Sequence, residues 1–425
     1  MIMSRVSWLR LAGSLIGLFC NYLPAATLEP DVRNPLLFEL KQQITSSDGA
    51  TDDQFGWSIA AESGMALVGA PNTTVGGKSG QGVVYVFTET NGTWVQTQVL
   101  TAGNGQPGDA FGISVSVASP WAFIGAPNTD NFRGAVYVFR RSGRTWIEGQ
   151  ALIGSDATTF NQFGWSIAQD GRRALIGSIN ATVGTNSSQG AVYFFKNDSG
   201  LWSESQKFSS SDGVSGDSFG WAVALDHDDA LVGAGFATVD DHEFQGAAYT
   251  FHRDGDLWTE TQKLTADNGE AFDFFGLAVA LGRNQALVGA EGASTDGNPF
   301  SNQGVVYVYS HEDQSWNPLQ TLAASDGEPS DSFGHSISSQ GGRALVGAPG
   351  VTVNGAAAAG AIYTFDQVNR LLKETGKLTP NDAVENGQYG WSVSLLKASV
   401  FAGAYNATAG GHERQGAAYI YIKKQ

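Results

Sequence analysis

The sequence predicts an all-β protein in which seven four-stranded antiparallel sheets close into a ring. Three observations lead to this prediction. An aromatic residue followed by glycine recurs at intervals of 52 to 58 residues. About fourteen residues after each pair the chain reads Gly-Ala or Gly-Ser, and the segments between these marks show the two-residue period of strands. A fixed period of this size indicates one structural unit copied along the chain. The aromatic positions are Phe55, Phe111, Phe163, Phe219, Phe275, Phe333 and Tyr389.

Each unit contains two strands around the glycine marks. In the first copy, residues 55–61 alternate large and small side chains, which predicts a strand. Residues 66–70 form a second apolar run that ends at Pro71, a residue that cannot donate to a ladder. A polar loop from 72 to 81 follows.

Two further strands complete the unit. Residues 82–87 are rich in β-branched and aromatic side chains, and the same pattern recurs in every copy. Asn91-Gly92 is a favoured hairpin turn, and the strand at 94–100 follows it. Four antiparallel strands in meander order, copied seven times, predict a seven-bladed β-propeller.

The last copy ends after its third strand, and its fourth strand is predicted at the other end of the sequence. Residues 36–45 have the register of the fourth strand at 94–100. We therefore expect this N-terminal strand to complete the last blade and close the ring, which removes an open sheet edge. Residues 27–425 are predicted to form this single domain.

Composition narrows the class of partner. The formal net charge is −17, which disfavours nucleic acid as a partner because phosphates would be repelled.

The N-terminus has the features of an export signal. It has Arg5 and Arg10, an apolar stretch and small residues at 25–26, so residues 1–26 are predicted to be a signal peptide. An uncleaved anchor is the alternative. After removal of the signal, no membrane span is expected, and the protein is predicted to be secreted, periplasmic or at the cell surface.

The repeat resembles the FG-GAP repeat of integrin α-subunit propellers, and most of all the bacterial extracellular branch of that family. The clearest copies combine Phe-Gly with Gly-Ala-Pro, at Phe55 with Pro71, Phe111 with Pro127, and Phe333 with Pro349. The resemblance implies a seven-bladed propeller used in extracellular binding or adhesion.

The calcium loop common in that family lies between the first and second strands, and here that connection is a short turn. Calcium prefers six to eight oxygen ligands, which these turns do not supply. The nearest remnant is Asp226, Asp228 and Asp229, the only candidate metal ligands. We therefore expect no metal site and no cofactor.

Acidic residues also recur before each Phe-Gly pair. An Asp or Asn lies seven positions back, and a second lies two positions back in six copies. The structural interpretation is turn capping, because Asn replaces Asp freely. The functional interpretation is a ligand site. Tryptophans that follow Phe-Gly, such as Trp57 and Trp391, are predicted to be core, and His335 to be a buried, hydrogen-bonded histidine.

Chain order places the long loops on one face and the short turns on the other. Binding residues favour loops on rigid scaffolds, so the acidic long-loop face is the predicted binding surface, opposite a more basic short-turn face. Its candidate residues are Asp53, Asp109, Asp217, Asp240, Asp241, Glu243, Asp273, Asp296 and Asp331.

The leading hypothesis is a monomeric, non-enzymatic propeller that binds an extracellular protein or a cell-surface glycan through this face. A carbohydrate-binding propeller with pockets between blades is the alternative. A hydrolase or lyase propeller is a third, although no catalytic residue is predicted.

Overall fold

Seven four-stranded antiparallel sheets build the protein, and each sheet is one blade. The computed structural model describes residues 38–282, 284–295, 301–397 and 399–424. The predicted signal peptide at 1–26 and residues 36–37 of the closing strand lie outside these ranges. No helix among the described residues has the length and hydropathy that a bilayer span needs.

The strands of a blade run outwards from the centre of the ring in chain order. First strands contact the first strands of both neighbouring blades, and the contact between the last and first blades closes the ring. They are β2 (Ser58–Glu62), β6 (Ser114–Ala118), β10 (Phe163–Asp170), β14 (Ala222–Asp226), β18 (Ala278–Gly282), β22 (Ser336–Gln340) and β26 (Ser392–Leu396). Second strands are β3 (Met65–Ala70), β7 (Trp121–Ala126), β11 (Arg173–Ser178), β15 (Asp229–Ala234), β19 (Gln285–Ala290), β23 (Arg343–Ala348) and β27 (Ser399–Ala404).

The third and fourth strands form the outer part of each blade. Third strands are β4 (Val83–Thr90), β8 (Ala135–Ser142), β12 (Ala191–Asp198), β16 (Ala247–Asp254), β20 (Val305–Glu312), β24 (Ala361–Val368) and β28 (Ala417–Lys423). Fourth strands are β5 (Thr93–Leu100), β9 (Thr145–Leu152), β13 (Leu201–Phe208), β17 (Leu257–Leu264), β21 (Ser315–Leu322), β25 (Leu371–Leu378) and, for the seventh blade, β1 (Phe38–Ile44). Blades are numbered 1 to 7 from β2.

Burial follows the sequence pattern. The first five residues of every third strand are buried, because neighbouring blades cover both faces of the sheet. Fourth strands alternate exposed and buried positions because one of their faces meets water. The two-residue burial period therefore belongs to the outermost strands, whereas first strands such as β2, β6 and β14, where the sequence alternates large and small side chains, are half-buried throughout.

The N-terminal strand closes the ring as predicted. β1 pairs antiparallel with β28, from Phe38 opposite Lys423 to Ile44 opposite Ala418, with a bulge between Leu40 and Gln42. The seventh sheet therefore contains both ends of the described chain, in the order β1-β28-β27-β26.

The Phe-Gly and Gly-Ala marks join neighbouring blades. The backbone N–H of Phe111 donates to the carbonyl of Gln81 in the preceding blade at 2.9 Å, while its fully buried ring packs on Tyr137 of its own blade. A Cβ on Gly69 would lie 2.2 Å from the carbonyl oxygen of Gly112, so only glycine permits this approach. Ser58 Oγ donates to the same carbonyl at 2.7 Å. Both marks are therefore junction residues.

Candidate functional site

The long-loop face is built from paired loops of neighbouring blades. At the junction of blades 4 and 5, the N–H groups of Phe272, Phe274 and Phe275 donate to the carbonyls of Glu243, Phe244 and Gln245 at 2.8 to 3.0 Å. The same three bonds recur at each of the other junctions. Side chains on these loops are consequently held by backbone pairing on a rigid ring.

Five of the predicted binding carboxylates are buried in turns. Asp217 is 4% exposed, and its Oδ2 accepts the N–H of Val214 at 2.8 Å. Burial raises the pKa of all five carboxyls. This geometry favours the turn-capping interpretation and leaves their side chains no direct access to a partner. The five are Asp53, Asp109, Asp217, Asp273 and Asp331.

The other recurrent acid position, seven residues before Phe-Gly, accepts a hydrogen bond from a tyrosine. Tyr249 of β16 donates its hydroxyl to Asp212 Oδ1 at 2.8 Å, and Lys263 contacts the other carboxylate oxygen at 2.6 Å. The tyrosine partner is present in all seven blades, and Asn accepts in its place at Asn104 and Asn268. These positions are therefore structural. Their side chains accept a hydrogen bond from a tyrosine hydroxyl, whereas the aspartates two residues before Phe-Gly accept one from a backbone N–H.

Three of the predicted carboxylates lie exposed on one loop of blade 4. Asp240 and Asp241 occupy the tip of a tight turn closed by Val239 and His242, and both have left-handed φ angles of 49° and 69°. Glu243 follows and is also exposed. His242 Nδ1 lies 2.8 Å from the carbonyl oxygen of Gly269, which ties this loop to the next blade. Asp296 lies outside the described residues.

Exposed phenylalanines at two junctions were missed by the sequence interpretation. Phe132 and Phe160 stack with centroids 5.8 Å apart, and Phe244 and Phe272 meet edge to face at 5.6 Å. Their exposed fractions range from 37% to 65%. The equivalent residue pairs at the other junctions are small or polar: Gly80 and Gly108, Ser188 and Gly216, Asn302 and Ser330, Ala358 and Asn386, and Arg414 and Asp52.

The backbone at these positions is unfavourable for phenylalanine. All four have φ between 57° and 69°. Positive φ recurs at every equivalent position, at Ala358 and Ser330 as well as at the glycines, so the conformation belongs to the repeat and the bulky side chain is what differs. A bulky residue in this region is uncommon and costs about 1–2 kcal/mol. Such strain clusters at functional sites. Comparison of the loop residues, copy by copy, is the sequence signal that would have found them.

The tryptophans that follow Phe-Gly are half-buried, so the prediction that they are core is wrong. Trp165 contacts Trp221 at 4.9 Å, and Trp221 contacts Phe236 at the same centroid distance. Phe236 in turn contacts Phe244 and Phe274, both at 5.7 Å. A continuous aromatic row thus leads from the first strands to Phe272 on the long-loop face.

On the opposite side of the ring, Trp57, Trp391 and Tyr405 form a second aromatic group, with centroids 4.6 to 5.1 Å apart. His335 packs on Trp391 at 4.2 Å, and its Nδ1 lies 2.5 Å from Glu291 Oε2. The histidine is hydrogen-bonded as predicted, but its side chain retains 19% exposure.

Each candidate metal ligand is paired with an arginine or a histidine. Asp228 Oδ1 accepts from Arg173 at 2.8 Å and also from Arg253, and Asp229 Oδ1 lies 2.8 Å from His252 Nδ1. Burial opposes ionisation of Asp228, but the two guanidiniums outweigh it and lower its pKa. Asp226 contacts His227. Within the described ranges, no three Asp, Glu, His or Cys side chains are grouped to hold a metal ion.

Ion pairs also change the expected charge of the short-turn face. Arg173 contacts Asp170 as well as Asp228, and Arg343 donates to Asp366 at 2.9 Å. Arg370 contacts Glu312. These three arginines are paired with acids of their own or a neighbouring blade, so the described part of this face is mixed in charge.

The FG-GAP repeat profile matches the chain seven times, at residues 38–87, 94–139, 146–195, 202–251, 258–309, 316–365 and 372–421. Each matched unit begins on a fourth strand and ends on the third strand of the next blade, so it spans the junction that Phe-Gly and Gly-Ala build. No curated protein matches the chain significantly. The matched repeats cover most of the sequence, and the chain belongs to the FG-GAP repeat family.

Proposed function

We propose that the protein is a non-enzymatic binding module that captures an extracellular protein through one part of its long-loop face. FG-GAP propellers are typically non-enzymatic and typical of extracellular proteins, which supports a secreted, periplasmic or cell-surface location. The binding surface, here called the aromatic–acidic patch, consists of Phe236, Phe244, Phe272 and Phe274 with Asp240, Asp241 and Glu243.

The observation that carries the proposal is the exposed pair Phe244 and Phe272, held in a left-handed conformation beside three exposed carboxylates. Aromatic residues are the side chains that most often dominate binding energy at protein interfaces. Negative charge on the loop that carries Phe244 steers cationic partners towards the two rings. The complementary partner is a protein segment with an apolar side chain flanked by Lys or Arg.

A peptide-display selection on the full chain tests the proposal. Selected peptides should be enriched in an aliphatic or aromatic residue flanked by basic residues. The variant Phe244→Ser/Phe272→Gly carries the residues found at the junction of blades 3 and 4 and should lose this enrichment. Phe132→Ser/Phe160→Gly is the matched control at the other aromatic junction, and it should retain it. Equal enrichment by all three proteins would contradict the proposal.

A further inference from the structure

A cleft opens on the short-turn face between blades 5 and 6, away from the aromatic–acidic patch. Its inner lobe has a volume of about 230 Å³, with Leu287 and Leu372 among its lining residues. An outer lobe of about 410 Å³ shares Asn284, Gln285 and Gln367 with it. The volume of the outer lobe falls in the range of small-molecule sites, about 300–1,000 Å³, and the inner lobe is smaller.

The cleft has a cause that is visible in the sequence. Five blades begin their fourth strand with a buried tryptophan, at Trp94, Trp146, Trp202, Trp258 and Trp316, which packs against the preceding blade. In blade 6 the residue is Leu372. At the junction of blades 2 and 3, Trp202 contacts Trp121 and Phe123; Gln285 and Leu287 are the equivalents of these two residues in blade 5.

The backbone does not move inwards to fill the missing indole. Gln320 donates to the carbonyl of Leu372 at 2.9 Å and accepts its N–H at 2.8 Å. The same pair of hydrogen bonds holds the backbone of each of the five tryptophans, for example between the Gln262 side chain and Trp316 at 2.8 and 2.9 Å. Since the strand is held in its usual place while the side chain is smaller, the volume remains as a cleft.

The lining indicates a neutral ligand. Its described residues include amides and hydroxyls above Leu287 and Leu372, namely Asn284, Gln285, Ser310, Ser339, Gln340 and Gln367, together with His311. Gln285 and Gln367 each donate one amide hydrogen to the carbonyl of Arg370, at 2.9 and 3.3 Å, and Gln340 Oε1 accepts the N–H of Lys397 at 2.6 Å. Its two described arginines already face carboxylates, because Arg343 donates to Asp366 and Arg370 contacts Glu312. No carboxylate is among the lining residues that the structure describes. Amides can donate to and accept from neighbouring hydroxyls at once, and an aliphatic floor suits a C–H face.

We infer that this cleft is a binding site for a neutral saccharide of one or two sugar units. The site is independent of the proposed protein-binding patch on the opposite face. The sequence left open a carbohydrate-binding propeller with pockets between blades. This inference places such a pocket at one junction, between blades 5 and 6.

The test is ligand-observed NMR on the full chain with maltose, cellobiose, lactose and diacetylchitobiose as probes, and pyrophosphate as an anionic probe. At least one disaccharide should bind the wild type. Leu372→Trp fills the cleft with the side chain that five other blades accommodate, and it should weaken binding at least about tenfold with no loss of thermal stability. Gln367→Ala, which leaves the cleft open and removes an amide, should also weaken binding.

Phe244→Ser/Phe272→Gly is the control and should leave saccharide binding unchanged. If none of the four disaccharides binds the wild type, the inference is wrong. Equal affinity of the wild type and Leu372→Trp for a bound disaccharide overturns it as well, as does preferential binding of pyrophosphate. Because the control variant removes the two exposed rings of the aromatic–acidic patch and leaves the cleft unchanged, failure of one proposal is distinguishable from failure of the other.

Discussion

Phe244 and Phe272 meet across the junction of blades 4 and 5 with ring centroids 5.6 Å apart, although both backbones are left-handed. Neither ring is needed to build the junction, because Ser188 and Gly216 occupy the same positions one blade earlier with the same loop pairing. The pair therefore combines conformational strain with solvent exposure, and this combination sets it apart from the buried aromatics of the repeat.

Relief of backbone strain at Phe272 should offset the packing energy that its ring supplies. Phe272→Gly replaces a strained, 39% exposed residue, and about 1–2 kcal/mol of left-handed strain is removed. We expect a change in the free energy of unfolding of less than about 1 kcal/mol in denaturant titration. Phe275→Ala, three residues away but fully buried, should cost about 3–5 kcal/mol. A comparable loss of stability in both variants would show that Phe272 is a core residue.

Gly69→Ala should destabilise the protein strongly, because its Cβ would lie 2.2 Å from the carbonyl oxygen of Gly112 in the next blade. The blades would have to separate, and we expect a loss of more than about 2 kcal/mol in the free energy of unfolding. Gly376→Ala is the matched control on an outer strand, where the nearest atom is 3.4 Å away. Thermal unfolding of the two variants measures the difference. Little change in the stability of Gly69→Ala would mean that blades 1 and 2 pack less closely than the 2.2 Å distance implies.

Asp212→Asn should lower the free energy of unfolding at neutral pH, and the difference from the wild type should disappear in acid. Burial acts to raise the pKa of Asp212, but hydrogen bonds from Lys263 and Tyr249 outweigh it and lower the pKa. A carboxyl with a lowered folded-state pKa stabilises above its unfolded pKa and loses that contribution as pH falls through the folded value. The carboxylate is half exposed, so we expect less than about 1 kcal/mol at pH 7.

Unfolding of wild type and Asp212→Asn at several pH values tests this sign. The two curves should converge below the lowered folded-state pKa. Asp217→Asn is a contrasting variant, since burial raises the pKa of Asp217. There the wild type should gain stability relative to its variant as pH falls. A gap between wild type and Asp212→Asn that persists in strong acid would contradict the assignment.

The repeat made the fold predictable from sequence because each of its marks has a local physical requirement. Gly69 and Gly112 must approach closely, and β1 carries the burial pattern of a fourth strand wherever it lies in the chain. The candidate site was harder to predict. Asp217 and Asp240 are both loop aspartates, yet one caps a turn in the interior and the other lies at an exposed tip. Acidic composition does not separate these two environments.

The exposed phenylalanines and the cleft were overlooked for a related reason. Each is a departure from the repeat at one or two copies, such as Phe272 where most copies have a small or polar residue, and Leu372 in place of Trp. Residues that recur in every copy define the scaffold, whereas residues that differ between equivalent positions indicate function. The physical meaning of each difference depends on the partner across the junction, which the linear sequence does not show.

Calorimetric titration of a basic, apolar peptide selected on the wild type is the most direct test of the aromatic–acidic patch. We expect Phe244→Ser/Phe272→Gly to weaken this affinity at least about tenfold, as removal of an aromatic anchor does. Phe132→Ser/Phe160→Gly should bind as the wild type does. Unchanged affinity in Phe244→Ser/Phe272→Gly, or an equal loss in both variants, would contradict the claim that the junction of blades 4 and 5 is the binding surface.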